Sequence, residues 1–213
     1  MLVEAAVESL DAALAAVEGG AHRIELCANL AEGGTTPGVQ LLRESLSRVS
    51  IPVFVLVRPR AGDFVYTDAE HRTMLNQIAA AKTAGARGIV TGALTAQRVI
   101  DEKRVGELIQ AAHPLPFTFH RAIGVCTRID SALDTLVRLG VDRTLTSGNA
   151  DTAAEGATQI ASLVKQAAGR IIIMAGGGIN AANAARIVRE TGVQEIHFSV
   201  KDAQKVRDVL ESL

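Results

Sequence analysis

The chain has 213 residues with a formal net charge of −1, 3% aromatic residues and no tryptophan. This composition argues against nucleic-acid binding, and no apolar stretch reaches the roughly 18 residues of a membrane-spanning helix. No basic segment opens the sequence and its two cysteines lie far apart. We therefore expect no signal peptide, no membrane partner and a reducing, cytoplasmic setting.

Short apolar segments alternate with helical segments along the chain. The predicted strands are residues 2–6, 23–27, 53–58, 88–92, 117–120, 143–146, 171–175 and 195–199. The predicted helices are residues 9–18, 68–84, 101–111, 129–139, 152–168 and 181–190. Short, apolar strands are typical of a parallel sheet covered by helices, and no linker interrupts the pattern. We predict a single α/β domain over residues 1–213.

A local pattern occurs four times, in which a helix ends at glycine and a strand follows after three residues. The glycines are Gly20, Gly85, Gly140 and Gly192. Glycine adopts the left-handed conformation that often ends a helix. Four units of two strands and two helices predict a TIM-type (βα)8 barrel with parallel strands, compact for this fold.

Side-chain alternation places charged residues inside that barrel. Arg23, Glu25 and Cys27 share one face of the second strand, opposite Ile24 and Leu26. If the apolar face packs on the helices, the charged face points inward. The same reasoning directs further pairs inward: Glu4 and Ala6, Thr118 and His120, Thr144 and Thr146, and His197 and Ser199. Because unpaired buried charges are costly, we predict an ion-pair network of Glu4, Arg23, Glu25 and Arg58.

This network is either a structural plug or part of a ligand site at the carboxyl ends of the strands, where barrel enzymes keep their chemistry. A histidine such as His120 there can act as a general acid or base, or can simply be a hydrogen-bonded barrel residue. Arg58, Arg60 and Asp63 form either a clamp for a carboxylate or phosphate, or a loop braced by an internal ion pair.

Two further loops are candidates for ligand contact. The sixth strand ends in the small polar run Thr146-Ser147-Gly148, and Arg121 follows His120 directly. The seventh strand runs into Gly176-Gly177-Gly178 and is predicted to open a helix whose backbone amides bind an anion. The alternative is a tight turn without a ligand.

Cys27 and Cys126 both fall at or just beyond the carboxyl ends of predicted strands. Two thiolates would suit Cu(I), a soft ion. Neither cysteine belongs to a Cys-x-x-Cys pair, however, and an isolated cysteine is commonly a small apolar filler. A mixed site of Glu4, Glu25, His120 and His197 for a harder divalent ion is a further alternative.

Six motifs, in order along nearly the whole chain, resemble the CutC copper-homeostasis proteins. They are Arg23-Ile24-Glu25-Leu26-Cys27, Glu32-Gly33-Gly34-Thr35-Thr36-Pro37, Arg58-Pro59-Arg60-Ala61-Gly62-Asp63-Phe64, Phe117-Thr118-Phe119-His120-Arg121-Ala122, Leu145-Thr146-Ser147-Gly148 and Met174-Ala175-Gly176-Gly177-Gly178. The resemblance implies a TIM-type barrel, a cytoplasmic location, a homo-oligomer, with a dimer expected, and a role in copper homeostasis or copper binding.

The chain departs from this family in three places. Ala6 stands where the family often has a cysteine, which removes one potential thiolate. Ile123-Gly124 replaces a common Phe-Asp, which removes an acid. The direct connection Ser199-Val200-Lys201-Asp202 replaces a long segment, together with any anion pocket that needs it.

Three hypotheses follow. The leading one is a copper-linked barrel whose rim is built by Cys27, Cys126, His120 and His197. The second is an enzyme for a small anionic or phosphorylated metabolite, with the anion bound by Arg58, Arg60 and the 176–178 turn and protons moved by His120, Glu25 or His197. The third is an oligomeric scaffold without a small ligand.

Overall fold

Eight parallel strands close into one barrel in the computed structural model, which describes residues 1–213. Each strand pairs with the next, and β8 returns to β1 with Glu4 opposite His197. The predicted TIM-type barrel is therefore confirmed. The strands are β1 Leu2–Val7, β2 Arg23–Leu26, β3 Val53–Leu56, β4 Gly88–Thr91, β5 Phe117–Phe119, β6 Arg143–Thr146, β7 Ile172–Gly176 and β8 Glu195–Ser199.

Eight α-helices surround the barrel, and short 3-10 helices follow β2 and β5. Gly20 and Gly85 end α1 and α3 at φ values of 93° and 99°, as the glycine pattern predicts. None of the helices combines the length and apolarity needed to cross a membrane. The helices are α1 Leu10–Gly19, α2 Val39–Arg48, α3 Asp68–Ala84, α4 Glu102–Ala112, α5 Ile129–Arg138, α6 Ala157–Ala167, α7 Ala184–Thr191 and α8 Ala203–Glu211.

Three helices, α2, α6 and α8, differ most from the prediction, and no predicted range covers α8. Helix α2 has no predicted counterpart, because Gly38 at its N-cap offers no side-chain cap and only Leu42 and Ser45 are buried along it. Helix α6 begins at Ala157 instead of residue 152. Thr152 and Glu155 exchange hydrogen bonds between side chain and backbone as in a capping box, but the chain forms a turn there and the helix starts after Gly156.

The main core lies between the strands and the helices. Ile24 and Leu26 of β2 and Phe117 and Phe119 of β5 are fully buried in it, on the face predicted to point outward. A second, small cluster of Cys27, Phe54, Leu56 and Val90 lies apart from this core. The opposite face of β2 is thereby left to the charged residues.

The predicted facing of β6 is wrong. Arg143 donates a hydrogen bond to Glu195. His197, two residues further along the same face of β8, lines the cavity at the carboxyl ends of the strands. Arg143 and Leu145 therefore point inward, and Thr144 and Thr146 point toward the helices. The physical reason is that an arginine on the helix side would lack the carboxylate partner that Glu195 supplies inside.

Gly88 is predicted to be required for packing inside the barrel. A Cβ atom at this position would lie 2.5 Å from the Phe54 ring. We expect Gly88→Ala to lower the free energy of unfolding by about 1–3 kcal/mol, because an overpacked core must shift. In the matched control Gly106→Ala, in helix α4, the new methyl group meets nothing within 4 Å. It is expected to raise stability by about 0.5–1 kcal/mol. Urea denaturation measures both changes, and equal effects would refute the packing argument.

Candidate functional site

A cavity of about 250 Å³ opens at the carboxyl ends of the strands, and we call it the mouth. It brings together side chains from β2, β3, β5 and β8 or the loops that follow them. The predicted site residues that line it are Glu25, Cys27, Arg58, His120, Arg121, Gly177, Gly178, His197 and Ser199.

The other predicted site residues lie outside this lining. Arg60 pairs with Asp63 at 2.9 Å and with Glu70 at 2.5 Å, so this loop is braced by its own ion pairs. Thr146, Ser147 and Gly148 bond within their own loop, through the Gly148 amide and the Ala150 carbonyl. Glu4, Arg23 and Gly176 are also absent from the lining, and Cys126 lines a different cavity.

Four charged side chains form what we call the floor network: Glu4, Arg23, Arg143 and Glu195. Arg23 binds the Glu4 carboxylate and donates through Nη2 to Glu195 at 2.7 Å. Arg143 donates through Nη2 to the same Glu195 at 2.9 Å, and both guanidinium groups lie over the Phe54 ring. Two cations and two anions thus neutralise each other in a buried place.

Half of this network, Glu4 and Arg23, is predicted from the sequence. Arg143 and Glu195 are not among the predicted residues. Glu195 lies two residues before His197, so alternation along β8 could have found it. Arg58, predicted to join the network, instead donates to backbone carbonyls.

His197 lies between two carboxyl groups above the floor network. Its Nδ1 is 2.8 Å from Glu4 Oε1, and its Nε2 is 3.3 Å from Glu25 Oε2. Burial alone would lower the pKa of His197, but the Glu25 and Glu4 carboxylates outweigh burial and raise it. Burial works against the charged form of Glu4 too, yet His197 and Arg23 lower its pKa to about 2. His197 and Glu4 are therefore an ion pair at neutral pH.

The pKa of Glu25 is shifted in the opposite direction to that of Glu4. Burial raises its pKa to about 7, the His197 charge opposes this rise, and the Glu4 charge adds to it. The carboxyl group therefore changes its protonation state close to neutral pH. Such a value suits an acid or base in a cavity.

His120 is buried in the wall of the mouth as a neutral ring. Burial, and then the charge of Arg58, lower its pKa to about 3. Its Nδ1 accepts a hydrogen bond from the Ala122 amide at 3.4 Å, so the ring hydrogen lies on Nε2. That Nε2 is buried and has no hydrogen-bond partner. The site therefore offers one free donor.

Arg58 carries a buried charge that no carboxylate balances. Its guanidinium donates to the carbonyls of Gly34 at 2.8 Å and Gly62 at 2.7 Å, and its Nε has no partner. The side chain is 5% exposed and lines the mouth. A full positive charge therefore borders the cavity.

The glycine turn after β7 lines the mouth without leading directly into a helix. Gly177 and Gly178 have φ values of 111° and 70°, which residues with a side chain rarely adopt. Helix α7 begins only at Ala184, after a turn in which Asn183 Oδ1 accepts from the Asn180 amide. The helix predicted after this turn is therefore present, but it begins at Ala184 instead of residue 181.

The two cysteines lie in different surroundings. Cys27 borders the mouth, and its buried thiol donates to the Val7 carbonyl at 3.3 Å. Cys126 lines a separate cavity near α5 and packs in the main core. Burial, followed by the charges of Glu25 and Glu8, raises the pKa of Cys27 far above its usual range, and burial raises that of Cys126 to about 11. Both are thiols at neutral pH.

Lys205 of α8 lines the mouth and is not among the residues predicted from the sequence. Its Nζ donates to the Ser199 carbonyl at 2.7 Å and lies over the Phe198 ring. The direct connection after β8, capped by Asp202 at the start of α8, brings this lysine to the rim. That short connection was the available signal.

The chain is similar in sequence to proteins of one known family along most of its length. A family model described as the CutC family matches residues 1–202. A CutC family protein of Mesorhizobium japonicum is 48% identical, over 93% of this chain and 77% of its own. The human copper homeostasis protein cutC homolog is 46% identical, over 95% of this chain and 74% of its own.

Solved structures agree with this relationship. CutC from Streptococcus agalactiae has 37% identity and a TM-score of 0.87, over 92% of this chain and 97% of its own. N-(5'-phosphoribosyl)anthranilate isomerase from Pyrococcus furiosus has 15% identity and a TM-score of 0.64, over 100% of this chain and 98% of its own. The second likeness shows the shared barrel fold alone.

Glu195 is expected to be essential for stability, since its removal leaves two buried guanidinium groups with no shared anion. Glu195→Gln should lower the free energy of unfolding by about 3–5 kcal/mol. The control Glu102→Gln breaks the exposed pair with Arg138, at 2.6 Å, and should cost less than about 1 kcal/mol. Urea unfolding compares the two variants, and a similar loss in both would contradict the assignment.

The raised pKa of Glu25 predicts a pH-dependent stability. Between its usual value of 4.5 and about 7, the unfolded chain has released this proton while the folded protein still holds it. Rising pH therefore favours unfolding in this window, by an amount on the order of 3 kcal/mol. Glu25→Gln removes this dependence. The free energy of unfolding of the variant, relative to that of the wild type, should therefore rise from pH 5 to pH 8. Urea midpoints across that range measure the difference, which must stay constant if the pKa is ordinary.

Proposed function

The chain belongs to the CutC family, and we propose that it serves copper homeostasis by binding Cu(I), its cargo, in the mouth of the barrel. The human and mouse relatives carry the name copper homeostasis protein cutC homolog. The observation that carries the proposal for this chain is that Cys27 borders the mouth. Thiolate sulfur is a donor that Cu(I) prefers.

Cys27 is the principal donor in this proposal. His120 could bind a metal through Nε2 only after its ring hydrogen moves to Nδ1, which would break the bond from the Ala122 amide. His197 is held as a cation between Glu4 and Glu25. Cys126 lines another cavity, so we do not place it in the primary site.

The cellular compartment of the protein is part of the same proposal. Both cysteines are free, which suits a reducing compartment, and we propose the cytoplasm. The homodimer implied by the family resemblance stays a prediction, and sedimentation equilibrium of the full chain would test it.

Copper binding is expected to depend on Cys27 and on pH. Cys27→Ala should weaken Cu(I) binding at least about tenfold, and Cys126→Ala, the matched control, should leave it nearly unchanged. Affinity should rise with pH from 6 to 8, because a thiol with a raised pKa must release its proton to bind a metal. Competition with a chromophoric Cu(I) chelator under reducing conditions measures these affinities. Unchanged affinity in Cys27→Ala would exclude the mouth as the copper site.

A second candidate function is an enzyme for a small anionic metabolite. The buried charge of Arg58, which lacks a carboxylate partner, favours this alternative. An anion in the mouth would balance that charge, and the Glu25 carboxyl group could move a proton on it. His197 and Glu4 would then act as positioning residues, since they hold Glu25 from the floor side.

A further inference from the structure

His120, which lines the mouth, has a buried ring N–H group without an acceptor. Nε2 of His120 carries the ring hydrogen, because Nδ1 accepts from the Ala122 amide. The His120 side chain is 5% exposed and belongs to the lining of the mouth. A buried N–H group that lacks a partner costs free energy, so such groups normally meet a protein atom, water or a ligand.

Positive charges outnumber negative charges around this donor. Arg58, Arg121 and Lys205 line the mouth, and none of them pairs with a carboxylate. The single carboxyl group in the lining, Glu25, faces the His197 cation. The floor network below is neutral within itself. The mouth as a whole therefore attracts anions.

The size of the mouth limits what can enter. Its volume of about 250 Å³ lies below the range of about 300–1,000 Å³ that is typical of drug-sized ligands. Leu56, Phe64 and Leu145 contribute apolar wall to the same cavity. A compact metabolite with a few carbon atoms fits these limits.

We propose that the mouth binds a small oxyanion, one of whose oxygen atoms accepts a hydrogen bond from Nε2–H of His120. Arg58, Arg121 and Lys205 supply the attracting charge. The inference rests on the second candidate function, whose ligand class it specifies. A carboxylate and a phosphate share this chemistry, and the experiment separates them.

The test uses the full chain labelled with ¹⁵N and three probes: pyruvate, citrate and inorganic phosphate. Long-range ¹H–¹⁵N spectra should show His120 as a neutral ring with its hydrogen on Nε2 from pH 5 to pH 8. Titration with at least one probe should shift that Nε2–H signal in a saturable way. The probe that binds most tightly identifies the carboxylate or the phosphate class.

Two pairs of variants complete the test. His120→Leu should weaken binding of that probe at least about tenfold, whereas His120→Gln keeps a donor and should stay within about threefold. Lys205→Gln should weaken binding about threefold or more at low salt, and Lys201→Gln, exposed and outside the mouth lining, should not. Thermal melts of each variant show whether it is folded.

Clear results would overturn the inference. It fails if none of the probes binds at about 10 mM, a concentration that detects even very weak sites. It also fails if His120→Leu binds the probe as well as the wild type does. If pyruvate binds but the protein does not catalyse deuterium exchange at its methyl group, the oxyanion site stands and that form of acid or base catalysis is refuted. Copper titration of the Cys27 variant is independent of these outcomes.

Discussion

The Glu195 carboxylate, shared between Arg23 and Arg143, is the interaction on which the interior of this barrel depends. A buried arginine is costly without an anion beside it, and the two arginines of the floor network use the same one. Glu4 completes the balance on the Arg23 side. The floor of the barrel is thus filled by ion pairs, in contrast to the layers of branched apolar side chains that usually fill such barrels.

The neutral floor determines the electrostatics above it. His197, and after it Arg23, keep the Glu4 carboxylate ionised against the effect of burial. His197 in turn faces Glu25, whose burial leaves it balanced between its charged and neutral forms. The mouth therefore combines an adjustable acid, which His197 contacts from the floor side, with cations at its rim.

Copper and an oxyanion make different demands on this same cavity. Copper(I) requires the Cys27 thiol to lose its proton in a place where burial and the Glu25 charge resist that loss. An oxyanion requires only the donor that His120 already presents and the charge that Arg58 already carries. The names of the human and mouse relatives support the proposal of copper, and the electrostatics of the mouth support that of an oxyanion. Both ligands would compete for one space of about 250 Å³.

The sequence by itself determined the barrel, because its signals are local: a glycine that ends a helix, and an alternating strand such as Arg23–Leu26 that follows. It also determined that Glu25, His120 and His197 meet at one end, since parallel strands end together. Tertiary structure alone decided that Arg143 turns inward to Glu195, 52 residues away, and that Cys126 lies apart from Cys27. These outcomes depend on the register between strands and on which charges find partners, which no local pattern encodes.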